Sequence, residues 1–164
     1  MLHAQPGFLI AAVRDVMLVF WATRATGETV QQVESASRKL IDQFGQVATI
    51  YVALHGAPLP DEGARRVLEE AASRLAKNVT AVAVVLIGHG FWASAVRAFV
   101  TSMRWGGIMT MPYKVHVCST LEEATRWLVP LDAARSAGAP EPAELDTALR
   151  ELLSRSELVV DTER

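Results

Sequence analysis

The sequence predicts an α/β domain in which helices pack on a mostly parallel sheet of four to five strands. Three apolar runs, at residues 47–55, 79–87 and 113–118, are each followed by a turn and then by a segment with apolar residues at helical spacing. An alternation of strand and helix is typical of a parallel sheet covered by helices. The fold class follows from this repeated order.

An antiparallel hairpin precedes the repeated units. Residues 8–13 and 16–23 are apolar runs separated by two residues, and so short a connection favours a hairpin. A single bent strand is the alternative. Thr26 is a suitable N-cap for the helix that follows, and Gly45 is a suitable C-cap. We expect this helix to pack on the sheet.

The later elements are marked by caps and by a change in composition. Asp61 can cap the second helix, and the strand at residues 79–87 is apolar on both faces, which predicts a central strand covered on both sides. Ser119 and Glu122 fit a capping box, and the helix that they open should end before Pro130.

The chain divides into a main domain and a C-terminal addition. Residues 130–142 are rich in Ala, Gly, Pro and charged residues, which indicates a surface linker. After it, leucines recur at helical spacing, and we expect a helix and tail over residues 143–164. Residues 1–129 then form the α/β domain.

Composition favours a cytoplasmic protein and excludes several function classes. Hydrophobic residues make up 51% of the chain, but no apolar run approaches the ~18 residues of a membrane span, and residues 8–13 are too short for a signal peptide. The net charge of −2 argues against a nucleic-acid partner. The lone cysteine, Cys118, suits a reducing compartment.

The closing segment of the domain resembles a known family. Residues 112–128 read Pro-Tyr-Lys-Val-His-Val-Cys-Ser-Thr-Leu-Glu-Glu-Ala-Thr-Arg-Trp-Leu, which is a strand, a polar turn and a helix. This segment, and the order of elements over residues 8–128, are similar to STAS domains, which include the anti-sigma-factor antagonists. The resemblance implies a STAS-like fold and a role without catalysis, in which the domain binds a partner protein or a small ligand.

Many STAS domains are switched by phosphorylation of a serine in an Asp-Ser-x-Gly turn at the start of the second helix. The matching place here reads Asp61, Glu62 and Gly63, one residue shorter than that pattern. Because Glu62 cannot accept a phosphate, a kinase-driven switch is not implied. Either Glu62 imitates a phosphorylated serine, or acidic residues simply favour the first turn of a helix.

Polar residues and glycines follow the ends of three predicted strands, where ligands bind in open α/β sheets. These candidate ligand-binding residues are His55, Gly56, Gly88, His89, Gly90, Cys118 and Ser119. An anion or a small molecule is the ligand that we consider, and ordinary turn residues are the alternative. Zinc also uses His and Cys, but the spacing matches no metal motif, so we expect no metal and no cofactor.

The chain has no Gly-x-Ser-x-Gly elbow, P-loop or Gly-x-Gly-x-x-Gly, so we expect no enzyme.

A second group of residues indicates an interaction surface, because apolar side chains there exceed what one helix facing one sheet can bury. Its candidates are Trp92, Arg97, Arg104, Trp105, Ile108, Met109 and Met111. We therefore predict a regulatory interaction module that binds a protein partner or forms a homodimer. The alternatives are a loop buried on its own core, a lipid-facing lid, and a ligand-binding domain.

Overall fold

The structure is a computed structural model that describes the chain except residues 55, 89, 106–112 and 162–164, together with the side chains of residues 91–92, 102–105 and 156–161. The described elements, in chain order, are β1 (His3–Gln5), β2 (Phe8–Val13), β3 (Val16–Trp21), α1 (Gly27–Phe44), β4 (Val47–Leu54), α2 (Glu62–Leu75), β5 (Val79–Ile87), α3 (Gly90–Trp105), β6 (Lys114–Cys118), α4 (Leu121–Ala133) and α5 (Pro142–Asp161).

The six strands form one sheet in the order of the chain. β1, β2 and β3 are antiparallel, whereas β3 to β6 are parallel. The α/β class and the N-terminal hairpin are confirmed. The sheet has one strand more than predicted, because β1 is a short and mostly exposed edge strand without an apolar pattern. β5 lies second from the edge, between β4 and β6, rather than at the centre.

Helices cover both faces of the sheet. α1, α2 and α3 each connect two neighbouring parallel strands. Because such crossovers are right-handed, all three helices lie on the same side of the sheet. We call this side the first face. α4 and α5 pack on the opposite side, the second face. The second face is closely packed, since Ile50, Leu128, Leu145 and Leu149 have no exposed surface.

Two helix starts and one helix end lie where the sequence predicted them. The Thr26 hydroxyl accepts a hydrogen bond from the Thr29 N–H at 3.3 Å, and the Asp61 carboxylate accepts one from the Ala64 N–H at 2.8 Å. Gly45 ends α1 with a φ of 83°, a left-handed conformation that glycine adopts without strain. No helix in the described part of the chain is long and apolar enough to cross a membrane.

The predicted capping box at Ser119 and Glu122 is wrong by one residue. Thr120 is the N-cap, and its hydroxyl accepts from the Glu123 N–H at 3.1 Å. The Glu123 carboxylate in turn accepts from the Ser119 N–H at 2.7 Å. Ser119 with Glu122 and Thr120 with Glu123 both fit the capping-box pattern. The structure uses the second pair, with β6 ending at Cys118.

The predicted end of α4 before Pro130 is also wrong, because the helix continues to Ala133. Proline removes one helical hydrogen bond, but contacts with the sheet hold the last turn. Asp132 has no exposed surface and accepts a hydrogen bond from the Thr80 hydroxyl on β5 at 2.8 Å. The stretch between α4 and α5 is therefore residues 134–141, shorter than the predicted linker.

Candidate functional site

A cavity of about 230 Å³ lies between the first face of the sheet and the helices α1, α2 and α3. β4, β5 and β6 form its floor, the three helices form its walls, and the loop at residues 57–60 lines it near the ends of β3 and β4. The floor residues are Thr49, Tyr51, Ala53, Val82, Val84 and Val115. Most of the remaining lining side chains are aliphatic or aromatic.

Small side chains leave this space unfilled. α2 lines the cavity with Leu68, Ala71, Ala72 and Leu75, and its two central alanines have little volume with which to fill the gap above the sheet. β5 shows the consequence, because Val82 and Val84 on the first face are only half-buried. Ala83, on the second face of the same strand, has no exposed surface. The predicted burial on both faces therefore holds for Ala81, Ala83 and Val85 on the second face but not for Val82 and Val84 on the first.

Two tyrosines bring hydroxyl groups to this apolar space. Burial raises the pKa of Tyr51, with a further contribution from the neighbouring Tyr113. Burial likewise raises the pKa of Tyr113 to about 12, so both hydroxyls stay protonated in neutral solution. Within the described part of the chain, neither hydroxyl forms a hydrogen bond. No described group therefore competes with a bound molecule for these two hydroxyls.

A charged cluster ties α1 to α2 beside the cavity. Arg74 of α2 donates to both carboxylate oxygens of Glu34 on α1, at 2.8 and 2.7 Å. Arg38 donates to the same carboxylate at 2.7 Å. The hydrogen bond from Arg74 is the main reason that the pKa of Glu34 is lowered to about 2, despite the opposing effect of burial. Glu34 itself lines the cavity.

α3 closes the opposite side of the cavity. The guanidinium of Arg65 on α2 lies 5.6 Å from the centre of the Phe99 ring on α3, a cation–π contact between the two helices. Phe99 lines the cavity. Leu59 lines it as well and is 37% exposed, so the cavity meets solvent at the loop of residues 57–60.

Most of the predicted strand-end residues do not line this cavity. Gly56 and Gly90 have φ values of 83° and 72°, as expected of turn glycines, and Gly88 lies between β5 and α3. The side chain of Cys118 lies on the second face of the sheet beneath α4, and burial there raises the pKa of its thiol to about 12. The exposed Ser119 hydroxyl accepts from Arg97 at 3.3 Å. The remaining two candidates, His55 and His89, lie outside the described residues.

The predicted interaction surface also falls largely outside the described part of the chain. Arg97 is described and exposed. Ile108, Met109 and Met111, and the side chains of Trp92, Arg104 and Trp105, lie outside the description. Binding of a protein partner and homodimer formation through this surface stay predictions.

The turn that resembles a phosphorylation site opens α2. Asp61 is its N-cap, and the exposed Glu62 and Gly63 form its first turn. This placement suits acidic residues at the start of any helix.

Comparisons of the chain with protein-family models, curated proteins and solved structures found no match. The resemblance to STAS domains therefore stays a prediction, and the α/β architecture rests on the structure.

Proposed function

We propose that this chain binds a compact, mostly apolar small molecule in the cavity beneath α2. The cavity is the observation that carries this proposal, since binding sites for small molecules are typically concave, largely apolar and lined by a few polar groups. An enclosed cavity of about 150 Å³ is large enough to bind benzene. The cavity here, of about 230 Å³, has room for a larger molecule.

The two tyrosine hydroxyls supply the polar recognition. Tyr51 stands on the floor beside Thr49, Tyr113 precedes β6, and most of the other lining side chains are aliphatic or aromatic. A ligand with one hydrogen-bond acceptor would be oriented by donation from these hydroxyls, while its apolar part occupies the space under Ala71 and Ala72. This role needs no catalytic group. It is a ligand-binding role, as in the alternative drawn from the sequence, but at a different place, because the described strand-end candidates do not line the cavity.

The proposal is tested by filling the cavity. Ala72→Phe places a ring from α2 into the space, and Ala143→Phe makes the same change at an exposed position on α5. Benzene, indole and 2-naphthol serve as probes in titrations that follow amide chemical shifts by NMR. We expect saturable shifts around the cavity with at least one probe in the wild type and in Ala143→Phe, and at least tenfold weaker binding in Ala72→Phe.

Two outcomes contradict the proposal. One is the absence of saturable shifts with all three probes in the wild type. The other is equal affinity in a folded Ala72→Phe variant, because a probe that binds equally well there does not occupy the cavity.

A further inference from the structure

Three potential metal ligands converge on the second face, away from the cavity. His116 and Cys118 occupy alternate positions on β6, so their side chains point to the same side of the sheet. Glu123 lies in the first turn of α4, which begins just after that strand. An imidazole nitrogen, the thiol sulfur and a carboxylate oxygen all lie within 4.8 Å of one another.

We propose that His116, Cys118 and Glu123 bind a zinc-class divalent cation. Sulfur, imidazole nitrogen and carboxylate oxygen are the three donor types that zinc uses in proteins. A thiolate together with an imidazole selects zinc or cobalt over magnesium and calcium, which prefer oxygen ligands alone. A site with three protein ligands leaves a fourth tetrahedral position for water.

The geometry requires only a small adjustment. Zinc bonds of about 2.0 to 2.3 Å in a tetrahedron place neighbouring ligand atoms roughly 3.5 Å apart. The Nε2 of His116 and the Oε1 of Glu123 are already 3.4 Å apart. Both side chains are 43% exposed, so rotation about their side-chain bonds can close the remaining distance to the buried Cys118 sulfur. Their exposure also gives the ion a path from solvent.

Surrounding contacts orient two of the three ligands before any ion binds. The His116 ring stacks on the Trp127 ring of α4, with centroids 5.1 Å apart and planes inclined by 25°. The second carboxylate oxygen of Glu123 accepts from the Ser119 N–H at 2.7 Å. Contacts of this kind hold ligand side chains in place and strengthen metal binding.

Residue spacing alone does not predict this group of three ligands. His116, Cys118 and Glu123 match none of the common metal motifs. The strand alternation that pairs His116 with Cys118 is visible in the sequence. The approach of Glu123 depends on α4 folding back over the end of β6, which only the structure shows.

Cobalt absorption tests the proposal with the full, reduced chain. We expect the wild type to bind one Co²⁺ with the near-ultraviolet charge-transfer band of a cobalt–thiolate bond, and excess Zn²⁺ to remove that band. Cys118→Ser should lose the band, and His116→Asn and Glu123→Gln should each weaken binding at least tenfold. Glu122→Gln, at the neighbouring exposed carboxylate, is the matched control and should bind like the wild type.

Absence of the charge-transfer band in the wild type would overturn the proposal. So would a band of unchanged strength in His116→Asn and Glu123→Gln, if both variants bind Co²⁺ as tightly as the wild type. The two substitutions lie at partly exposed positions, so folded variants are expected even if Cys118→Ser is destabilised. The cavity-filling Ala72→Phe variant should bind cobalt normally, which separates this proposal from the proposed function.

Discussion

The hydroxyl of Tyr51 is the group that best distinguishes a binding cavity from a gap left by imperfect core packing. Its ring lies on the cavity floor, and within the described residues its hydroxyl has no hydrogen-bond partner. A structural tyrosine in a core usually has such a partner. A tyrosine hydroxyl without a partner among the described residues therefore fits the proposed role of donating to a ligand.

Tyr51→Phe removes this hydroxyl and keeps the ring. Because no described group depends on the hydroxyl, we expect the free energy of unfolding to change by less than about 1 kcal/mol. We also expect weaker binding of 2-naphthol, which offers an acceptor oxygen, and unchanged binding of benzene, which offers none. Urea unfolding and the NMR titration measure the two effects. A loss of stability well above this value would show that the hydroxyl supports the fold instead.

A pair of buried carboxyl groups fixes the opposite end of the sheet. Asp15 and Asp132 both have no exposed surface, and each has one carboxylate oxygen without a hydrogen-bond partner in the described structure. The other oxygens accept from Ser136 and Thr80. Burial, and to a lesser extent the neighbouring Asp15, raise the pKa of Asp132 to about 6.

This raised pKa sets the direction of a pH effect. The protonated form of Asp132 is favoured by folding, so its contribution to stability is full below the usual pKa of 3.8 and is lost as pH rises through about 6. Asp132→Asn keeps an acceptor for Thr80 and removes the charge. We expect the variant to gain about 1 kcal/mol relative to the wild type between about pH 4 and pH 8.

Urea unfolding at both pH values measures this difference, with the exposed Asp42→Asn as the control. A difference between Asp132→Asn and the wild type that is the same at both pH values would show that Asp132 does not titrate as described.

Among the helices, α1 and α2 depend on each other through one carboxylate. Glu34 receives hydrogen bonds from Arg74 and Arg38, and its side chain is only 11% exposed. Its lowered pKa means that the stabilising contribution is present above the usual value of 4.5 and is lost as pH falls toward about 2. The wall of the cavity formed by α2 is therefore held partly by a titratable contact.

Glu34→Gln weakens this contact. We expect the free energy of unfolding to fall by up to about 1 kcal/mol near pH 7, and the difference from the wild type to shrink toward about pH 2. Unfolding by urea across this range is the measurement, and Glu28→Gln on the same helix is the control. A constant difference across the range would mean that the charge of Glu34 is not involved.

The secondary-structure elements can be predicted from the sequence better than the packing between them. Thr26, Gly45 and Asp61 act locally, so their roles as caps could be predicted from neighbouring residues alone. The course of α4 past Pro130 could not, because it depends on the contact between Asp132 and Thr80, which are far apart in the chain. The local sequence pattern predicts that α4 ends before Pro130, whereas the tertiary contact extends it to Ala133.

The cavity was missed for a similar reason. Thr49 and Tyr51 stand at alternate positions on the first face of an otherwise apolar strand, and α2 lines the cavity with two alanines beside two leucines. These are the signals that the sequence contains. Whether small side chains leave a void or allow closer packing depends on how far α2 stands from the sheet, and residue spacing does not encode that distance.

Across the whole molecule, the two faces of the sheet differ in packing. The second face buries large side chains such as Leu128, Leu145 and Leu149 completely under α4 and α5. The first face keeps a cavity of about 230 Å³ under α2. The tightly packed second face can hold the fold while the first face remains open to a ligand.

The most direct measurement of this difference is a crystal structure determined under xenon pressure. Xenon enters apolar cavities without specific chemistry, so it reports the space itself. We expect a xenon atom between Tyr51 and Ala72, and its loss in the Ala72→Phe variant. Crystals with no xenon at that position, or with α2 packed directly on the sheet, would contradict the binding cavity.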